Sequence, residues 1–369
     1  MKKKIAIICI LDGSANSIMP ENIKKYLTKK GHDVQLVNTI HINKLLRSEK
    51  DFSYFNVKVL FTLIANFVVS ACLILQEKYF KWTRKYFYYY LLLFSMKCRA
   101  FLLKEYFKNK KFDLIIGESQ IDSGYFLYNA SCTTLYNCAT PWADELYFGN
   151  EITEKQYYKF LNLEKTIYKS INYLSFHSDV YADYVKKYFY KGKNIIMLHT
   201  GTHKKAFKAK YKLQPRIVYM GYLGGYWINL PLLSRLSKLY KNIDVYGFPA
   251  PPKKYGLNYK GYASTDVLKD YQFGLITISK DKLRSEGFSQ KHIEYLSHGL
   301  PVLIPEWREN AKKLKGSILI NEDNFVKLTE QYSKKEAWLK KSKDALLQSK
   351  IYDWDTVLKP LDKIVNNTK

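Results

Sequence analysis

Glu286 and Glu294 frame the stretch of this chain best suited to chemistry, SEGFSQKHIEYLSHGLPVLIP over residues 285–305. Glu286-Gly287-Phe288 reads as a turn after a strand. Ser289 reads as the N-cap of a helix that runs to His298 and is closed by Gly299. The start of a helix offers free N–H groups and the positive end of its dipole, which suits a phosphate. Gln290 and Lys291 fall in that first turn. A cation there opposes the dipole, so its placement implies an anion between the two. Glu294 lies about one turn on, within reach of a ligand across the helix start. Carboxylates accept hydrogen bonds from vicinal hydroxyls, so the two glutamates suit a ribose and a sugar. The plainer alternative is a surface helix with a Lys291–Glu294 pair at i, i+3, worth a few tenths of a kcal/mol.

The elements around that stretch alternate. The strand expected over Lys4–Leu11 is apolar from Ile5 on, as a strand buried on both faces should be. Gly13-Ser14-Ala15 follows, then a helix from about Pro20 to Gly31. Strands are expected at Asp33–Val37, Asp113–Ile116, Thr134–Asn137, Tyr173–Phe176 and Ile195–Leu198, with a helix over Glu154–Lys169. The polar, Lys-rich Thr202–Gln214, ending at Pro215, reads as a linker. A second series then opens with the strand Arg216–Met220 and the glycines Gly221, Gly224 and Gly225. It continues through Leu230–Tyr240 (helix), Ile243–Tyr246, Phe273–Ile278 and Pro301–Ile304 (strands). Two β/α series of similar size predict an α/β chain of two doubly wound domains facing a cleft.

Composition narrows the function classes. The 369 residues are 47% hydrophobic and 25% charged, which excludes a disordered chain. Lys and Arg number 60 against 33 Asp and Glu, a net charge of +27, so an anionic partner is expected. Five cysteines without a Cys-x-x-Cys pair form neither a disulfide framework nor a zinc site, so a reducing cytosol is expected. Residues 41–111 hold 14 Lys and Arg against 4 Asp and Glu. Within them Val59–Leu75 is an uncharged run of 17 residues, short of the roughly 20 that a span needs, so it reads as a buried helix of the domain or as one dipping into one leaflet. KYFKWTRKYFYYYLLLF follows from Lys78. On one helix Lys78, Lys81 and Lys85 share a face beside Trp82 and Arg84, a basic aromatic patch fit for an anionic membrane surface. A solvated Lys-rich face over a core helix fits the same residues.

EGFSQKHIEYLSHGLPV resembles the donor-site motif of GT-B glycosyltransferases: two glutamates separated by seven residues, then a small-residue–Gly–x–Pro–Val turn completed by Gly299-Leu300-Pro301-Val302. Lys291 with Glu294-Tyr295-Leu296 also resembles bacterial polysaccharide glycosyltransferases of the family 4-like kind, including xanthan-type glucuronosyltransferases. Weaker likenesses run in order along the chain: Glu164–Ser178, Ile195–Phe207, Arg216–Asn229, Lys260-Gly261-Tyr262, Lys269-Asp270-Tyr271 and Ile351–Asp355. The resemblance implies an acceptor-binding Rossmann-like domain over 1–205 with its membrane-facing patch at about 57–111. It implies a donor-binding domain over 206–350 and a last segment, 351–369, crossing back to the first domain.

The activity implied is transfer of a hexosyl or uronosyl group from a nucleotide sugar, UDP-linked, to a lipid-linked or polysaccharide hydroxyl. It would act as a cytoplasmic, peripheral protein at the inner face of a bacterial membrane, in lipopolysaccharide or capsule synthesis. Donor-binding residues would be Gly224, Gly225, Tyr226, Glu286, Gly287, Phe288, Ser289, Gln290, Lys291 and Glu294, with no metal and no cofactor. Retaining members carry an Arg and a Lys just after the first strand of the second domain. Gly221–Pro231 has neither, so Lys291 or Arg284 would substitute. An inverting enzyme needs a base. Asp144 is the first choice and Glu145 the second, in CATPWADELYF, with His177 and His199 as rivals. A helix-start carboxylate without a catalytic role is the alternative for that pair, and core packing is the alternative for Tyr226. Other GT-B proteins share the scaffold, such as a nucleotide-sugar epimerase or an inactive partner subunit. Nucleic acid suits the charge, but no recognition helix or RNA-reading motif is present.

Overall fold

The computed structural model describes residues 1–11, 17–39, 57–79, 84–118, 121–128, 130–190, 192, 194–203, 205, 208–286 and 289–368. Side chains at 57, 77–79, 84–86, 181, 282, 286, 309 and 310 lie outside that description. The chain divides into two units, Met1–Leu198 with Leu358–Lys369, and His199–Val357.

Apolar runs without alternation produce strands covered on both faces. The first unit holds β1 (Lys4–Cys9), β2 (Asp33–Asn38), β3 (Leu114–Glu118), β4 (Thr133–Cys138), β5 (Tyr173–Phe176) and β6 (Ile195–Met197). Their order is β2-β1-β3-β4-β5-β6 and every pairing is parallel. The second unit holds β7 (Ile217–Tyr222), β8 (Ile243–Phe248), β9 (Asn258–Tyr259), β10 (Phe273–Leu275), β11 (Val302–Pro305) and β12 (Ser317–Ile320). Their order is β12-β11-β10-β7-β8-β9, again parallel throughout. Each sheet therefore reverses its winding beside its first strand, between β1 and β3 and between β7 and β10. Ligands of open α/β sheets bind at the carboxyl ends of strands flanking such a reversal. In the second unit Tyr219, Phe273, Leu303, Phe325 and Trp338 pack the core beneath that edge.

The sequence places strands at ten of these positions and omits β9 and β12. β9 has only two residues, and β12 follows a polar, Lys-rich turn that masks it. β10 stops at Leu275, three residues early. The chain turns there, and Ile278 pairs antiparallel with Ile228. The passage between units lies at Leu198–His199, ahead of the Lys-rich segment. Thr202 N donates to Tyr352 O, and Ala209 N to His298 O, so this segment is stitched to the second unit. The final helix, Pro360–Asn367, belongs to the first unit, where the Tyr26 hydroxyl donates to Asp362 at 3.0 Å.

The patch at 57–111 forms two helices, Val57–Tyr79 and Arg84–Phe107. Lys78 and Lys85 therefore sit on different helices rather than on one face. Lys81 and Trp82 lie outside the described residues, as do the side chains of Lys78, Arg84 and Lys85. Among the described residues one helix is long and apolar enough to cross a membrane, over Lys58–Gln76. It is not the buried domain helix the sequence suggests, because its polarity is inverted. Asn66 and Gln76 are buried, Asn66 facing Ser95, while Phe61 (74% exposed), Ile64, Phe67 (71%) and Ile74 face outward.

Candidate functional site

At the reversal point of the second unit, β7 ends in Met220, Gly221 and Tyr222, and the helix Gln290–Ser297 begins alongside. Ser289 stands at the N-cap position with extended backbone, but its side chain makes no cap hydrogen bond. A helix start uncapped by its own side chain leaves first-turn N–H groups available to something else. The helix is fixed by Tyr295, whose hydroxyl accepts from Met220 N at 2.8 Å. Gln290 Nε2 donates to Gly201 O at 2.9 Å. Gly299, at φ +75°, closes the helix.

Lys291 folds back over β7. Its Nζ lies 3.9 Å from the Tyr219 ring centroid. Gly221 makes room: it has φ +149°, and a Cβ there would come within 2.7 Å of the lysine Cε and Nζ. Burial pulls the Lys291 ammonium down to about 7. No carboxylate pairs with it among the described residues. A lysine ammonium beside a helix start has the electrostatics of an anion site.

Glu294 lies one turn further along. Burial alone would raise its carboxyl, but the neighbouring His298 and Lys205 outweigh that and hold it at about 2. Lys205 Nζ pairs with Oε1, Thr202 Oγ1 donates to Oε2 at 3.2 Å, and His298 Nε2 stands 3.7 Å from Oε1, too far for a hydrogen bond. His298 itself is buried, and both ring nitrogens lack a hydrogen-bond partner among the described residues. Lys205 and Thr202 were illegible as partners of Glu294, because some ninety residues separate them and the Lys-rich stretch reads as linker. Glu286 ends the short helix Lys282–Glu286 with its side chain outside the description; Gly287 and Phe288 lie wholly outside it.

The turn after β7 carries Gly224, Gly225 and Tyr226. A Cβ on Gly225 would run into the Trp227 ring. Tyr226, 37% exposed, accepts from Arg284 Nη2 at 2.8 Å, and the guanidinium carbon lies 5.3 Å and 5.1 Å from the centroids of the Tyr226 and Trp227 rings. Tyr226 therefore faces a guanidinium rather than the core. Arg284 is held by this clamp and does not join Lys291 at Gly221.

In the first unit, the helix Trp142–Phe148 follows β4. Buried Glu164 accepts from Trp142 N at 2.8 Å and Ala143 N at 3.1 Å, capping the helix from outside; burial raises its carboxyl to about 7. Asp144 is buried, and its two oxygens accept from the Tyr157 hydroxyl at 2.9 Å and the Tyr184 hydroxyl at 2.7 Å. That is the geometry of an anchor, and it matches the helix-start alternative the sequence offers for this residue. Glu145, next on the helix, is only half-buried. At the reversal point Glu118 ends β3, buried, with its carboxyl pushed up to about 8. Asn137 Nδ2 donates to both its oxygens, at 3.1 and 3.0 Å, and stands 3.2 Å from His177 Nε2. Ser175 Oγ donates to Asn137 Oδ1 at 2.7 Å, which fixes the amide. His199 lies in the second unit against Tyr352. Among the described residues no three His, Cys, Asp or Glu side chains converge as metal ligands.

No family model matches the chain, and no curated protein matches its sequence. Solved structures do. Sucrose-phosphate synthase from Thermosynechococcus elongatus superposes with a TM-score of 0.69 at 12% identity, over 99% of this chain and 98% of that one. HepE from Anabaena, in complex with UDP and glucose, gives 0.60 at 9% identity, over 99% and 100%. The kitacinnamycin glycotransferase gives 0.56 at 10% identity, over 100% of both. At such identities the likeness is one of fold, and it takes in both units.

Proposed function

We propose that this chain, GT-B by fold, is a glycosyltransferase. It moves a sugar from a nucleotide-sugar donor, a UDP sugar, to a lipid-linked or polysaccharide hydroxyl at the inner face of the cell membrane, in the synthesis of cell-surface polysaccharide. One observation carries the reading: Lys291, only partly exposed, folds its ammonium over Tyr219 at the reversal point beside an uncapped helix start, with no carboxylate partner among the described residues. A donor diphosphate is the anion that fits this setting.

The chemistry follows from charge. The acceptor oxygen forms its bond to the anomeric carbon as the bond from that carbon to the diphosphate breaks. The bonding pair leaves with the nucleoside diphosphate. Positive charge grows on the sugar and negative charge on the leaving group. Lys291 and the first-turn N–H groups stabilise the latter in a site fixed before reaction. No metal or cofactor is assigned a role. Glu294, ionised and held by Lys205 and Thr202, is the acceptor for donor hydroxyls. HepE's bound UDP and glucose are the parts of such a donor. We place the base that takes the acceptor proton at Glu145, with Asp144 orienting its helix through Tyr157 and Tyr184.

Membrane attachment is supported by the inverted helix Val57–Tyr79. In water an amphipathic helix buries its apolar face; in lipid, polar side chains turn inward instead. Buried Asn66 and Gln76 under exposed Phe61 and Phe67 follow the second pattern. The chain is accordingly read as cytoplasmic and peripheral, its helix pair resting in one leaflet.

Incubation of the purified chain with a panel of nucleotide sugars and membrane lipids, followed by mass spectrometry, tests the proposal. A lipid gaining one sugar supports it. A remodelled free nucleotide sugar points to an epimerase, and lipid binding without any nucleotide binding contradicts the enzyme reading.

A further inference from the structure

The first unit has a pocket of about 470 Å³ between the helices Arg84–Phe107 and Ile121–Leu127. Lys97, Ala100, Phe101 and Lys104 line one side, and Tyr125 and Phe126 the other. The two helices are tied together: Arg99 pairs with Asp122 at 3.4 Å, and the Phe107 and Phe126 rings stack with centroids 5.1 Å apart. Lys97 and Lys104 are exposed and have no acidic partner among the described residues.

Helical spacing extends the pocket into a track. Phe87, Tyr90, Phe94, Lys97, Phe101 and Lys104 recur every three or four residues and so lie along one stripe. Phe87 (61% exposed), Tyr90 (59%) and Phe94 (48%) present apolar surface, and the stripe then turns cationic. At 1.5 Å per residue the stripe runs roughly 15 Å from Phe87 to Lys97 and roughly 25 Å to Lys104. Apolar surface running into paired cations matches an amphiphile whose chain ends in a phosphate.

We propose that this track is a binding site for a phosphate-headed amphiphile, with the phosphate between Lys97 and Lys104 and the chain over Phe94, Tyr90 and Phe87. The inference rests on the glycosyltransferase reading only for its meaning, since it places the lipid-borne phosphate of an acceptor; the binding itself needs no donor. The same chemistry is offered by an anionic lipid headgroup in the bilayer, and the test separates the two.

Binding of dodecyl phosphate below its micellar concentration is measured by calorimetry without nucleotide. Inorganic phosphate and dodecylphosphocholine serve as controls, and the double variant Lys97→Gln/Lys104→Gln is run beside the wild type. Flotation is measured on vesicles of phosphatidylcholine alone and with phosphatidylglycerol. Both lysines are exposed, so the variant should keep the wild-type melting temperature, which is checked first. The expected result is dodecyl phosphate binding that exceeds that of both controls at least tenfold and falls at least tenfold in the variant. Flotation on phosphatidylglycerol vesicles should change less than threefold. Loss of flotation with no binding of soluble dodecyl phosphate assigns the lysines to the bilayer surface and overturns the site. Equal binding by variant and wild type overturns it as well. Neither result touches nucleotide binding, so the glycosyltransferase reading stands or falls separately.

Discussion

The Lys291 ammonium rests 3.9 Å from the centre of the Tyr219 ring, in the space that Gly221 leaves by having no side chain. In the proposed function, donor recognition by the second unit depends on this relationship. A lysine over an aromatic face gains some cation–π energy, but far less than it loses by leaving water. The position suits a group waiting for an anion.

Gly221→Ala therefore acts twice. At φ +149° a side chain costs about 1–3 kcal/mol in backbone strain, and the new Cβ displaces Lys291. The expected outcome is a lower melting temperature together with nucleoside diphosphate binding weakened at least tenfold. A stability loss with unchanged binding would place the lysine's working position elsewhere.

Proton uptake gives an independent signature. Lys291 has its folded value lowered from 10.5 to about 7, so above neutrality the free protein holds it largely uncharged. A bound diphosphate favours the charged form and raises the value again. Binding at pH 8 should take up a proton, and affinity should weaken as pH rises through 7 and beyond. Calorimetry in two buffers of different ionisation enthalpy reads this directly, and the buffer dependence should vanish in Lys291→Met.

Glu294 works with the opposite sign. Its folded value, about 2, lies below the roughly 4.3 of an unfolded glutamate, so its stabilising contribution is complete above about pH 4.3 and fades as pH falls through 2. Glu294→Gln should lose stability at pH 6 and show a shallower fall in melting temperature between pH 5 and 2 than the wild type. Parallel curves would remove the Lys205–Thr202 setting from the account.

Much of the architecture was legible. Runs such as Ile5–Cys9 and Ile217–Tyr219 admit little besides doubly covered strands, and Gly299 marks a helix end by chemistry alone. The site was legible where it is local, in Gln290, Lys291 and Glu294 on one helix. It was illegible where distant segments meet, as when Lys205 reaches Glu294 or Tyr157 and Tyr184 close on Asp144. A carboxylate at a helix start has the same sequence signature whether it faces substrate or two tyrosine hydroxyls, and only packing decides.

That distinction is measurable. Asp144→Asn disturbs an anchor, so it should lower stability by about 1–3 kcal/mol and leave turnover within tenfold of wild type. Glu145→Gln should keep the melting temperature and lower kcat by about 10²–10⁴, the usual contribution of a general base. The reverse pattern would return the base to Asp144.

If Lys291 holds the donor diphosphate, titration of UDP into the wild type and into Lys291→Met must tell the two proteins apart. The wild type should bind saturably, one to one, and a variant that keeps its fold should bind about tenfold to a hundredfold more weakly, as loss of a charge-assisted contact implies. Equal affinity in the two proteins would contradict that role of Lys291.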